Sequence, residues 1–273
     1  AEPFVQKYME FFDNDNTLME NITRTVLNKN GFLYDEPAFL LNKEVKEPVN
    51  YYSIMKVIAA ENHKLSEIAS AMQTESSRLT PYLETLQGLY LLEKKVPVTE
   101  RNPLKSRKGL YFMRDIFMRF WFKFVFPYKG ELELDNTNFV TEKLNEHFID
   151  NHAAFVYEDI CRNIFAELCK AKQINFVPSR IGSYWDRNEE IDLVAIDESN
   201  KRIFAAECKY YKDNKPIDVN VYAKLQEKCQ ISDFSGYDIV HGLFSKSGFS
   251  GRLKEIAKGN NKLLLIKGVS VEV

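Results

Sequence analysis

Residues 189 to 213 read EEIDLVAIDESNKRIFAAECKYYKD, two apolar runs on either side of a turn-like DESNK. Apolar runs of this length around a polar turn predict the two strands of a hairpin. They constrain the fold most because each carries charge where a buried strand disfavours it. Side chains alternate faces along a strand, so Glu207 and Lys209 point the same way. The turn makes Asp192 a neighbour of that pair.

Two carboxylates brought together can hold a hard divalent cation, Mg²⁺ or Mn²⁺, through oxygen ligands. A lysine beside them can orient an attacking water or steady the charge that builds on a phosphate. A third acid is available from AAFVYEDICRNIF, where Glu158 flanks an apolar stripe of Phe155, Ile160, Ile164 and Phe165. The same spacing is equally that of a buried salt-bridge cluster or an exposed edge pairing, since structural ion pairs also gather charges.

The chain is long enough, at 273 residues, for two domains. Residues 3 to 29 have apolar residues at three- and four-residue steps and predict a helix; Gly31 and the DEP at 35 to 37 are read as breakers. Helices are expected over 51–62, 64–73 and within TESSRLTPYLETLQGLYLLEK, with a Ser or Thr cap at the start of the last. Pro81 predicts a kink or a later start, and Gly88 suits the turn into a strand. Three helices followed by the strand-rich VPVTERNPLKSRKGLYFM give a winged helix-turn-helix order. The aromatic run at 115–129 reads as a helix packed between domains, GELELDNTN as a linker region, and 139–172 as helix. From about residue 174 the pattern becomes strand, strand, helix, strand, helix, strand, an α/β order.

The order of Glu158 on a helix, Asp192 on a strand and Glu207-Cys208-Lys209 on the next strand resembles the PD-(D/E)XK nuclease superfamily. GSYWDRNEEIDLVAID with AAECKYY resembles the C-terminal domain of archaeal-type AAA+ ATPases. KEPVNYYSIMKVIA through KSRKGLYFMRDIFMRFWFKFV resembles the winged helix before that domain, and FLYDEPAFLLNKEVKEP the end of the ATPase lid. Together these cover nearly the whole chain. The resemblance implies an α+β, multi-domain protein: a helical lid remnant over 1–48, a winged helix-turn-helix over 49–130 and a restriction-endonuclease-like α/β domain over 135–273. It implies a catalytic set of Glu158, Asp192, Glu207 and Lys209, with Asp192, Glu207 and Glu158 holding Mg²⁺ or Mn²⁺. The P of the motif's name is absent; Glu190-Ile191 precede Asp192. The function implied is a DNA-associated module of an AAA+ ATPase with a metal-dependent nuclease site. The alternative is a non-catalytic DNA- or protein-binding regulatory module of that ATPase.

No GxxxxGK[ST] loop is present, so no ATP site is expected in this chain, and ATP binding belongs to a part absent from it. The start at Ala1 suits a trimmed piece of something longer. From Glu93 to Arg114 seven basic residues stand against two acidic ones, so the proposed wing is basic. Lys105, Arg107 and Lys108 on that wing, with Ser76, Ser77 and Arg78 at the start of the proposed recognition helix, are the candidate DNA contacts, mostly to phosphate. A solvated charged loop on a protein-binding winged helix is the other reading. The net charge of −2 gives no global pull towards nucleic acid or anionic membrane.

Neither a transmembrane run nor a signal peptide is read, and four cysteines without CxxC spacing suit free thiols in a reducing cytoplasm. His63, His147, His152 and His241 are scattered and expected to pack or face solvent. Trp185 is expected to pack, or to shape the mouth of the site. Tyr210, Tyr211 and Lys212 extend the strand after Glu207. Gln226 stands where a supporting polar residue would, and SKSGFSGR at 245–252 reads either as an anion-binding turn or as a plain turn before a helix.

Overall fold

A computed structural model describes residues 8–211 and 215–272. The chain divides into two compact units. One runs to Lys95 and resumes over Gly109–Glu146; the other takes Val96–Lys108 and everything from His147 onward. The architecture is mixed, with helices gathered in the first unit and the main sheet in the second. The unit limits differ from the 130–135 break that the resemblance implies, and GELELDNTN, read as a linker region, contributes a short helix to the first unit.

The first unit holds α1 (Leu18–Thr25), α2 (Phe32–Glu44), α3 (Val49–Ala59), α4 (Leu65–Ala71), α5 (Ser76–Gly88), β1 (Leu92–Lys95), β2 (Leu110–Met113), α6 (Ile116–Phe124), α7 (Lys129–Glu133) and α8 (Thr137–Phe148). The single helix expected over 3–29 is not formed. Residues 3–7 lie outside the described residues, and DNDNT is a turn. Thr17 caps α1 there in a reciprocal box with Glu20, and the buried Asn21 amide bonds Asp13 on both sides. Asp35, Glu36 and Pro37 do not break the chain; they lie inside α2, which starts after Gly31.

Helix α5 begins at Ser76 and continues past Pro81, so no later start occurs. A proline there costs one intrahelical bond, and Leu79, Leu83 and Leu86 remain buried. Its N-cap is Glu75, without a side-chain cap, where Ser or Thr was expected. The left-handed residue after α5 is Tyr90, at φ +60°, and not Gly88. Helix α6 is the aromatic run; Asp115 caps it, and fully buried Trp121 donates to Tyr34 O at 2.6 Å.

The second unit holds α9 (Ala154–Lys170), β3 (Arg180–Trp185), β4 (Glu190–Asp197), β5 (Arg202–Lys209), α10 (Val219–Lys228), β6 (Asp238–Ser245), α11 (Gly251–Lys258), β7 (Leu263–Lys267) and β8 (Ser270–Val271). One six-stranded sheet runs β3-β4-β5-β6-β7-β8. The pairs from β3 to β5 are antiparallel, β5-β6-β7 is parallel, and β8 closes antiparallel on β7. β3 and β8 are additional to the four strands read from the sequence.

Both faces of this sheet are covered. α9 packs Cys161, Phe165 and Leu168 against Leu193, Ala195, Phe204 and Ala206. The opposite face places Val194, Ile196, Ile203 and Ala205 under Tyr222 and Leu225 of α10 and Leu253 of α11. Two-sided burial explains why β4 and β5 read as continuous apolar runs. Gly242 is required where it stands: a Cβ there would meet Phe204 Cζ at 2.2 Å, and that ring stacks on Phe165.

Candidate functional site

The charged residues gather where the hairpin opens. The β4–β5 ladder pairs Leu193 with Ala206 and goes no further towards the start of β4. Beyond that point the Cys208 N–H donates to Asp192 Oδ2 at 2.7 Å, so a carboxylate replaces the carbonyl of a ladder bond. Glu207 and Lys209 share a face, as the strand period requires, and Lys209 Nζ lies 2.5 Å from Glu207 Oε2 and 3.2 Å from Asp192 Oδ2. Three of the four residues named from the sequence are thus in direct contact.

A fourth member was missed. Lys228, the last residue of α10, donates to Glu207 Oε1 at 2.7 Å. Both oxygens of Glu207, whose side chain is only 5% exposed, therefore carry an ammonium. Gln226, the residue singled out on this helix, donates instead to Tyr222 OH. Helical spacing held the signal: Lys228 lies three residues beyond buried Leu225 and next to buried Cys229, at the edge of the stripe facing the sheet.

Glu158 stands on α9 near this net without joining it by an ion pair among the described residues. Burial, and then the charge of Asp192, push its carboxyl up to about 8, against the opposing pull of Arg162 and Lys209. Burial also raises Asp192, more than Lys209 and the Cys208 amide lower it. Lys209 is half-buried, which lowers its pKa, but Asp192 and Glu207 outweigh this and hold it firmly protonated. Arg162, one turn after Glu158, donates to Asp192 O at 3.2 Å and Ser183 Oγ at 2.9 Å and pairs with Asp159. It fixes the backbone at Asp192.

Among the described residues no group of three or more His, Cys, Asp or Glu side chains is set as a metal ion would need. Asp192 and Glu207 meet through Lys209. A divalent cation at these oxygens would have to displace ammonium groups already in hydrogen-bond contact.

The other candidates are distributed. In the first unit, Ser76, Ser77 and Arg78 open α5, with Ser77 and Arg78 exposed; Ser77 Oγ donates to Glu75. In the second unit, Lys105, Arg107 and Lys108 are exposed, but the segment carrying them is not a free loop. Val98 N–H donates to Ser183 O, Arg180 to Val98 O, and the Trp185 indole to Lys108 O. Trp185 therefore anchors this segment to β3. Sequence periodicity could not show this, because the bonds span about eighty residues. Of 245–252, Ser245 and Gly248 close a turn by exchanging bonds through the Ser245 hydroxyl, and Ser250 caps α11. Lys212 lies outside the described residues. All four cysteines are free thiols. No helix among the described residues is long and apolar enough to cross a membrane. A polar cleft of about 1020 Å³ opens at the far end of β4, between Arg101, Arg180, Glu198, Lys201 and Asp233; it contains none of the predicted site residues.

Comparison with known proteins places this site inside a recognised but unexplained region. A family described as archaea bacterial proteins of unknown function matches residues 121–221, which contain Glu158, Asp192, Glu207 and Lys209 and end before Lys228. The chain is 32% identical, over 226 residues, to an uncharacterized protein of Methanocaldococcus jannaschii. That alignment takes in 82% of this chain and 50% of the other, so the chain spans about half the length of the curated relative it matches. No solved structure matches.

Proposed function

We propose that this chain is a non-catalytic, DNA-associated binding module of a larger ATPase, built from a winged helix and a restriction-endonuclease-like domain. The observation that carries the reading is the closed ion-pair net. Asp192 Oδ2 and both oxygens of Glu207 are met by Lys209 and Lys228, and burial and the charge of Asp192 push the Glu158 carboxyl up. Such a centre has its charges internally satisfied, and breaking it is costly. It serves as an organising core for the sheet end. The order α3-α4-α5-β1-β2 supports the winged helix, and a relative twice as long supports an accessory role. Arg78 and the exposed Lys105, Arg107 and Lys108 supply phosphate contacts that carry little sequence information.

A second reading, a Mg²⁺- or Mn²⁺-dependent phosphodiesterase, is favoured by one observation. Asp192, Glu207 and Lys209 meet at one place, and Glu158 is near enough to sense Asp192. In that reading Asp192, Glu207 and Glu158 would hold the ion, whose charge would offset that of the phosphate. Lys209 would orient the attacking water, once it and Lys228 release their oxygens.

One assay separates the two. Labelled single- and double-stranded DNA is incubated with the protein and Mg²⁺ or Mn²⁺. The expected result is salt-sensitive binding of intact DNA. Metal-dependent cutting that Lys209→Ala abolishes would overturn the first reading and establish the second.

A further inference from the structure

We propose that the polar cleft lined by Arg101, Arg180, Glu198, Lys201 and Asp233 binds a small phosphate ester carrying hydroxyl groups, the class of sugar and nucleoside phosphates. The proposal is independent of the DNA-associated reading. None of these groups belongs to the ion-pair net or to the candidate DNA contacts.

The register places the cleft. β5 and β6 start side by side, with Arg202 opposite Asp238, and the Asp238 amide donates to Lys201 O at 2.8 Å. Glu207 and Lys209 stand at the other end of β5, so the cleft and the net occupy opposite ends of the sheet. Four segments of the second unit enclose the cleft. They are Thr99 to Pro103, Ser179-Arg180 at the start of β3, the β4–β5 turn, and the loop from Ser232 to Tyr237. Buried Ile196 and Ile203 supply its apolar part. The walls are tied to one another. Thr99 Oγ1 donates to Asp233 Oδ2 at 3.1 Å, and Arg180 donates to Val98 O at 2.8 Å and to Glu198 Oε1 at 2.6 Å. The enclosed volume is about 1020 Å³. Small-molecule sites range from about 300 to about 1,000 Å³, so a ligand of nucleotide size has room.

The acids and the cations of the cleft are not used alike. Glu198 is spent on Arg180, Asp233 accepts from Thr99, and Glu100 accepts from the Ser106 hydroxyl at 3.0 Å. Arg101 and Lys201 are exposed, and neither has a carboxylate partner among the described residues. Both are nevertheless placed. Lys201 stands at φ +52°, a left-handed conformation that lysine seldom adopts, and its Nζ lies 5.9 Å from the centre of the Tyr237 ring. Arg101 follows a backbone fixed by the Val98 amide bond to Ser183 O and the Glu100 amide bond to Pro97 O. A guanidinium and an ammonium without carboxylates, in one cleft, call for an anion, and phosphate oxygens accept charge-assisted bonds from both. A carboxylate accepts more than one hydrogen bond, so Glu100, Glu198 and Asp233 can also accept from ligand hydroxyls. The same three acids oppose a polyanion. That opposition favours an ester with one anionic end over a nucleic-acid backbone.

The test is calorimetric titration of ribose 5-phosphate and adenosine monophosphate into the full chain, beside ribose and inorganic phosphate. Arg101→Gln and Lys201→Gln are compared with wild type. Lys258→Ala, which removes an exposed lysine paired with Glu255, is the control. At least one ester should bind saturably and more tightly than inorganic phosphate, and ribose should not bind. Each cleft variant should weaken that ester about tenfold at an unchanged melting temperature, while the control matches wild type. No saturable binding of either ester at millimolar concentration would overturn the proposal, and so would wild-type affinity in both cleft variants. Inorganic phosphate binding as tightly as the esters would overturn the role given to ligand hydroxyls. A short labelled DNA that both cleft variants fail to bind, and that neither ester displaces from wild type, would give the cleft to nucleic acid and overturn the small ligand.

Discussion

Two glutamates, one in each unit, are driven in opposite directions. Glu61 follows α3 and is met by Lys123, by Arg119 at 3.7 Å and by His63 at 3.7 Å. Burial pulls its carboxyl upward, but the His63 and Lys123 hydrogen bonds and the Lys123 and Arg119 charges prevail and hold it at about 2. Glu158 on α9 is raised to about 8 by burial and by Asp192. The first is an acid surrounded by cations, an arrangement that ties helices together. The second is an acid placed against another acid beside a net that already balances its own charge. Electrostatic tension of that kind, and not the mere presence of ion pairs, marks the second unit's sheet end as the candidate site.

The largest expected contrast is in stability. Glu207 is buried between two ammonium groups, so Glu207→Ala should cost about 3–5 kcal/mol in denaturant unfolding. Glu61 has a side chain 52% exposed, and Glu61→Ala should cost within about 1 kcal/mol. Equal costs would erase the distinction.

The next contrast is in pH. Glu158 has a folded pKa above its unfolded value, so its unfolded carboxyl ionises first as pH rises. Its contribution to stability therefore falls as pH rises between about 4.5 and about 8. Glu158→Gln should flatten the profile in that window. Glu61, with its pKa depressed, contributes stability that is present above the ordinary glutamate range and is lost as pH falls towards about 2. Glu61→Gln should alter only that acid limb. Denaturation midpoints from pH 2 to 9 for the three proteins check both signs; a Glu158→Gln profile parallel to wild type between 4.5 and 8 would contradict the first.

Within the net, a smaller effect than at Glu207 is expected at Lys228. Because Glu207 keeps Lys209, Lys228→Gln should cost about 1–2 kcal/mol, less than Glu207→Ala. A double-mutant cycle with Glu207→Gln should show coupling between them; additivity would remove Lys228 from the net.

Much of this site was legible in the sequence because strand periodicity is strict. Once 190–197 and 202–209 are strands, Glu207 and Lys209 must share a face, and a short turn must bring Asp192 near. Helical spacing put Lys228 at the edge of the stripe facing the sheet, but Gln226 two residues earlier looks equally polar, and no local pattern says which of the two reaches Glu207. The attachment of Val98 and Lys108 to β3 is likewise set by distant backbone and indole bonds. The helix through Asp35-Glu36-Pro37 shows packing overriding a breaker: Leu33, Tyr34, Pro37 and Leu41 are buried together. The capping box at Thr17 and Glu20, by contrast, was written in the sequence and would have set the start of α1.

The central claim is that Asp192 Oδ2 and both oxygens of Glu207 are met by lysines. Calorimetric titration of Mn²⁺ into the wild-type protein tests it most directly. The account predicts no saturable binding below millimolar Mn²⁺, with Lys209→Ala, tested alongside, gaining affinity as an oxygen of each acid is released. Saturable micromolar binding by wild type that Asp192→Asn abolishes would contradict it and move the chain to the metal-dependent reading.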